Sequence, residues 1–278
     1  MTNILLIAEL TFHEVRRRKI MWAALLLGAA FLLLYGLGFH FIYRELKREL
    51  ASRPQFLPDW VNLLLMMALY AVNFLIVVMT VLTSVDTISG EIASNTIQAI
   101  AVKPIRRAEI LLGKWLGFAG MLVLYTAFMI GGVLLATYLE SGHLPPHPLE
   151  GSLFMILEGL VLLTLSLLGG TFLSTLANGV LVFGLFSVAF IGGWVEQFGS
   201  ILHNETAVNI GIVASLIMPS EAVWKRAAYL MQPPIFREFS MTPFSVTSPP
   251  STAMMIYVVG YTLVALVLAL RVFEKRDL

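Results

Sequence analysis

Between Asp86 and Lys114 the sequence concentrates polar side chains that most of the chain avoids. The run reads DTISGEIASNTIQAIAVKPIRRAEILLGK, with Asp86, Glu91, Asn95 and Gln98 as companions to Ile88, Ile92, Ile97 and Ile100. The isoleucines are spaced to lie near one helical face, and Pro104 disfavours a helical conformation at Lys103. The chemistry this supports is docking: a short amphipathic helix, a stop, and a restart at Arg106, Arg107 and Glu109. Held between two apolar stretches by short connectors, such a helix cannot move independently of them, so a push from a partner would pass into both. A solvated helix lying on lipid headgroups is the other reading of the same spacing.

Glu158 is the second candidate. It lies inside a long apolar run, where an ionised carboxylate is costly and by default marks a functional site. A place in a substrate path, or a polar contact between helices, stands against snorkelling to an interface or a structural hydrogen bond. Glu196, at the end of another apolar run, reads as interfacial. Thirteen Met and five His supply ligand types that suit copper. Their arrangement does not: Met66-Met67 and Met254-Met255 are adjacent pairs on different helix faces, and His13, His40, His143, His147 and His203 do not cluster. Zero cysteines remove disulfides and thiolate chemistry. No G-x-x-x-x-G-K-[ST], His-Glu-x-x-His or Ser/His/Asp arrangement is present, so no catalytic residue, metal site or cofactor site is expected in the chain itself.

The elements that must position these residues are membrane spans. Of 278 residues 58% are hydrophobic and 13% charged, against roughly a quarter charged in a soluble domain. Six stretches reach the roughly 20 apolar residues that cross a bilayer: Met21 to Ile42, Val61 to Val85, Ile110 to Leu139, Ser152 to Leu176, Gly179 to Val195, and Thr252 to Leu270. The fourth and fifth are separated only by Ala177 and Asn178, which predicts a tight hairpin turn there. Before the first span, Ile4, Leu5, Ala8, Phe12 and Val15 form an apolar arc, the pattern of an interfacial helix. Arg16, Arg17, Arg18 and Lys19 anchor its end, and no cleavable signal peptide is expected. Residues 199–251 carry enough apolar side chains to dip back toward the membrane as short helices before a proline-rich return. The expected fold is therefore an all-α membrane protein in one domain, residues 1–278. Eleven of the 18 basic residues fall on the side that holds both termini, which places that side in the cytoplasm. The near balance of 18 basic and 17 acidic residues gives no reason to expect a nucleic acid as partner.

The run Asp86, Gly90, Glu91, Thr96, Lys103, Pro104, Arg106, Arg107, Leu111, Leu112, Gly113, Lys114, Gly117 resembles the signature of ABC-2 type ABC transporter permeases, especially the NosY-like group linked to multicopper enzyme maturation. Pro219, Ser220, Glu221, Ala222, Val223, Trp224, Lys225 and Arg226 resemble a second stretch of the same group. Asn95 departs from the family's usual glycine, although Asn tolerates the left-handed conformation better than most residues. The resemblance implies a coupling helix near residues 88–100 that seats on a separate P-loop ATP-binding subunit. Asp86, Ile88, Gly90, Glu91, Ile92, Asn95, Thr96, Lys103, Pro104, Arg106 and Arg107 would form the contact, flanked by the N-terminal helix. It also implies ATP and magnesium on that partner, a second copy of the permease or a paralogue related by a two-fold axis, membrane lipids around both, and export across the cell inner membrane. In the family the first and fifth spans form the dimer seam, which would give Gly184, Gly192 and Gly193 a packing role. A transporter or channel driven by an ion gradient is the alternative; it would need midplane ionisable groups or broken spans.

Overall fold

The computed structural model describes residues 3–93, 106–233, 246 and 249–276. Among these the regular structure is helical throughout, with ten α-helices. They are α1 (Asn3–Arg17), α2 (Lys19–Glu49), α3 (Leu57–Ser84), α4 (Ser89–Ala93), α5 (Arg107–Ser141), α6 (Pro148–Gly170), α7 (Thr175–Ile201), α8 (Glu205–Ile217), α9 (Ser220–Met231) and α10 (Thr252–Lys275). Six candidate spans are long and apolar enough to cross a membrane, and the second joins α3 and α4 into one stretch, Pro54–Ile92. Even the 23 residues of α6 reach about 35 Å, enough for the hydrocarbon layer.

Burial sorts the spans into two layers. The most apolar windows of α3, α5 and α6 are at least half buried, whereas that of α2 is 11% buried and that of α10 22%. The inner helices interlock through Leu65, Leu69 and Val72 of α3, Leu111, Phe118 and Met129 of α5, and Met155, Leu163 and Leu167 of α6. Outer α2 lies on α5 by close approach, since a Cβ at Gly28 would stand 2.7 Å from the Met129 sulfur. Tyr35 and Thr137 share a 2.7 Å hydroxyl contact between the same two helices. Apolar side chains on the outer face, including Leu33, Leu34 and Phe41, are exposed.

The turn between the fourth and fifth spans is not at Ala177 and Asn178. Helix α6 ends at Gly170, residues 171–174 make the turn, and both predicted turn residues lie inside α7. Asn178 is fully buried and acts as a clamp: its amide donates to Ser166 O at 2.8 Å and Val85 O at 3.2 Å. An asparagine in an apolar run reads as a breaker, yet two carbonyls near helix ends give it a better use.

Residues 199–251 do contain short helices. A three-residue turn joins α7 to α8, with His203 at a positive φ of 54° and Asn204 capping α8 by accepting from Ala207 N at 3.1 Å. Helices α8 and α9 meet at a 107° bend at Met218 and Pro219, as a broken span or re-entrant loop does. The last carbonyls of α8 are not left bare, because Tyr257 and Tyr261 of α10 donate to Leu216 O (2.6 Å) and Ile217 O (3.1 Å). Beyond the bend α9 passes inside the bundle against α6, burying Trp224, Ala227, Ala228 and Met231.

Candidate coupling site and buried carboxyl cluster

At one end of the bundle five elements converge around the polar run. Helix α1 lies along the first turns of α5. A Cβ at Gly113 would come within 2.7 Å of Ile7 Cγ2 and 2.9 Å of Ile4 O, and one at Gly117 within 2.8 Å of Ala8 O. The G-x-x-x-G pair therefore seats α1, the close packing that such small residues permit. The packed arc is Ile4, Ile7, Ala8, Thr11, Phe12 and Val15; Leu5, expected on it, is 53% exposed, because α5 fixes the facing direction rather than hydrophobicity alone. Asn3 and the Arg106 backbone N–H both donate to Glu109 Oε2 at 3.1 Å, which ties the start of α1 to the start of α5.

The turn after α3 is built by small polar side chains. Thr175 donates to Asp86 Oδ1 at 3.0 Å and shares a 2.8 Å hydroxyl contact with Ser89. Gly90 has no room for a side chain, because a Cβ would collide with the Asp86 carboxylate. Ile88 is fully buried, 3.3 Å from the Cβ position of Gly170, so it anchors the turn instead of facing outward. Ile92 is partly buried against the core. Glu91 and Lys114 form a buried ion pair that bolts α4 to α5. Arg107 donates to the carbonyls of Glu274 (3.4 Å) and Arg276, and Arg276 in turn donates to Thr171 O, so the end of α10 and the α6–α7 turn belong to the same assembly.

Of the sequence-predicted contact residues, Asp86, Ile88, Gly90, Glu91, Ile92, Arg106 and Arg107 are thus brought together, with Asp86 and Arg106 exposed. Asn95, Thr96, Lys103 and Pro104 lie outside the described residues, as do Ile97 and Ile100. Two linkages went unpredicted. The Glu91 to Lys114 pair is separated by a segment too long for any spacing rule, and Arg276 reaches a turn that the sequence places elsewhere.

The second site surrounds Glu158. Its side chain is 1% exposed, so it does not snorkel. Asn73 of α3 donates to Oε1 at 3.3 Å, while Oε2 and the Asn73 carbonyl oxygen are buried without a hydrogen-bond partner. Glu221, in the first turn of α9, is also buried and lies against Gly193, where a Cβ would stand 2.8 Å from its carboxyl carbon. Lys225, one turn on, forms a 2.8 Å ion pair with Glu196 of α7. Tyr70 meets Trp224 edge to face with centroids 4.7 Å apart and is within electrostatic reach of both Glu158 and Glu221. Sequence reasoning reached Glu158 alone. Glu221 and Lys225 lie in the stretch expected to dip back as short helices, but nothing local in the sequence says that α9 packs them inside against α6 and α7. Gly192 and Gly193 are likewise filled within the chain, by Ala214 and Glu221 rather than by a second copy, and Gly184 has nothing within 4 Å.

A family model described as ABC-2 family transporter protein matches residues 5–278. No curated protein matches the chain.

Proposed function

The chain belongs to the ABC-2 transporter family, and from that premise we propose that it is the permease subunit of an ATP-driven exporter, powered by a separate P-loop subunit. The observation that carries the reading is the junction of α1, α4, α5, the α6–α7 turn and the end of α10. A partner that moves the segment from Asp86 to Arg107 acts on every one of these elements at once, because Glu91 and Lys114 join α4 to α5 and Arg107 joins α5 to α10. Within that segment Asp86, Glu91, Ile92, Asn95, Thr96, Lys103, Pro104, Arg106 and Arg107 form the docking face, while Ile88 and Gly90 hold its root.

In this mechanism ATP binding, with magnesium, closes two partner ATPases. The docking segments follow, and the inner helices α3, α5 and α6 shift against one another until the path opens on the other side. The chain supplies no catalytic group of its own. Glu158, buried in the conformation described, is the residue assigned to the substrate path in this reading. The junction faces the cytoplasm of a cell inner membrane, in keeping with the basic residues on that side. Lys114 and Lys225 are buried ion-pair partners, which removes one basic residue from each side of that count and leaves the bias unchanged. Two copies of the chain form the working unit, with the exposed faces of α2 and α7 available to lipid or to the second copy. The NosY-like kinship, and with it a cargo linked to metalloenzyme maturation, rests on the motif between Asp86 and Gly117.

The test is to purify the tagged full chain in mild detergent with ATP and identify what accompanies it. A stoichiometric P-loop ATPase is the expected companion. Recovery of a functional transporter without one, responding to an ion gradient, would overturn the proposal in favour of ion-driven transport.

A further inference from the structure

Glu158, Glu221 and Glu196 bring three carboxyl groups into the region where α3, α6, α7 and α9 meet. Lys225 is the one base among the described residues that pairs with any of them, and it is engaged by Glu196. Arg226, the next base on α9, is partly exposed. From α3 the facing groups are Asn73 and Tyr70. Helix α5 meets α6 at this level through Leu122, which rests on Gly159, and α10 contributes Val258 to the apolar cluster that holds Leu162. Glu158 therefore has an apolar surround and one amide donor.

Two acceptors in this pocket ask for a hydrogen. Glu158 Oε2 and Asn73 Oδ1 are both buried and both without a donor, in side chains that are 1% and 6% exposed. A buried acceptor left unpaired is expensive, and an unpaired buried charge more so. No three His, Asp or Glu side chains among the described residues converge as a metal-ligand set. A proton needs neither extra ligands nor a cavity. Glu221 sits in the first turn of α9, and the nearest ammonium, Lys225 four residues on, is engaged by Glu196.

We propose that Glu158, held by Asn73, is a buried proton-binding site, with one proton on Glu158 Oε2 while the bundle is closed. When α6 and α9 part and water enters, the O–H bond breaks, its electron pair stays on Oε2, and the proton leaves to water. Opening of the bundle then releases a proton that closing takes back. The site does not depend on the ATPase reading, because it is a property of the isolated bundle.

Infrared spectroscopy of the full-length protein in lipid nanodiscs tests this near neutral pH. The wild type is expected to show a carboxylic C=O band that moves to lower frequency in D2O. Glu158→Gln should remove the Glu158 contribution to that band, and Glu221→Gln should keep it, which separates the two carboxyls even if one variant folds poorly. Absence of the band from the wild type, or an unchanged band in Glu158→Gln, would overturn the assignment. Saturable loss of the band on adding sodium chloride, but not choline chloride, would overturn it in favour of a monovalent-cation site.

Discussion

Charged groups are buried in two places, and the two are balanced differently. At the junction, Glu91 pairs with Lys114. Under the α8–α9 bend, Lys225 pairs with partly exposed Glu196, while Glu158 and Glu221 are buried with no ion-pair partner among the described residues. A matched pair is a mechanical part: it fixes α4 on α5. An unbalanced cluster is incomplete, and it invites a proton or a ligand. Force transmission falls to the first place and chemistry to the second, and substitutions at each should behave accordingly.

The largest effect is expected from Glu91→Lys, which buries two ammonium groups together. Breaking a buried pair by removing one partner costs about 3–5 kcal/mol, so α4 should detach from α5. Thermal stability should fall, and stimulation of the partner ATPase should be lost; combining the change with a bulky residue at Ile92 should also end co-purification. Unaltered co-purification and stimulation in that double variant would remove the docking role from the segment. Next comes Gly113→Leu, which drives a side chain into Ile7 and the Ile4 carbonyl. Overpacking of this kind costs about 1–3 kcal/mol, and the expected readout is faster proteolysis within residues 3–17 with the rest of the bundle intact.

How far the sequence alone could lead differs between the same two regions. At the junction the residues lie near one another in the chain, and hydrophobic spacing with Pro104 marks a helix, a stop and a restart. What stayed hidden was the far partner: Lys114 for Glu91, and the end of α10 for Arg107. The carboxyl cluster was nearly illegible. Its members come from α3, α6, α7 and α9, and only the 107° bend at Pro219 turns α9 back to meet the others. Asn178 shows the same limit from the other direction, since its type predicts a turn and its surroundings make it a clamp. Six spans were readable because length and apolarity are local properties, whereas which face of a helix is buried depends on its neighbours, as Leu5 shows.

Smaller effects sharpen the contrast. Asn178→Ala removes the donor from Val85 O and Ser166 O. A loss of about 1–2 kcal/mol follows from typical net hydrogen-bond values, seen as a lower unfolding midpoint in detergent. Glu158→Gln should change stability least, by about 1 kcal/mol or less, because a neutral amide replaces a group already neutral in the closed bundle. A destabilisation as large as that of Glu91→Lys would mean that Glu158 is an ionised structural partner, and the distinction between the two regions would fail.

The central claim, that the end of the bundle built around Asp86 and Arg106 is where an ATP-binding partner seats, can be measured directly because the chain has no cysteine. A single cysteine placed at Asp86, exposed at the junction, is compared with one at Leu139, which is 74% exposed near the opposite end of α5. Both proteins are treated with a short bifunctional thiol-to-amine cross-linker in native membranes. The account predicts a cross-link to a P-loop ATPase from Asp86→Cys and none from Leu139→Cys. A cross-link from Leu139→Cys alone, or none from either while the ATPase still co-purifies, would contradict it.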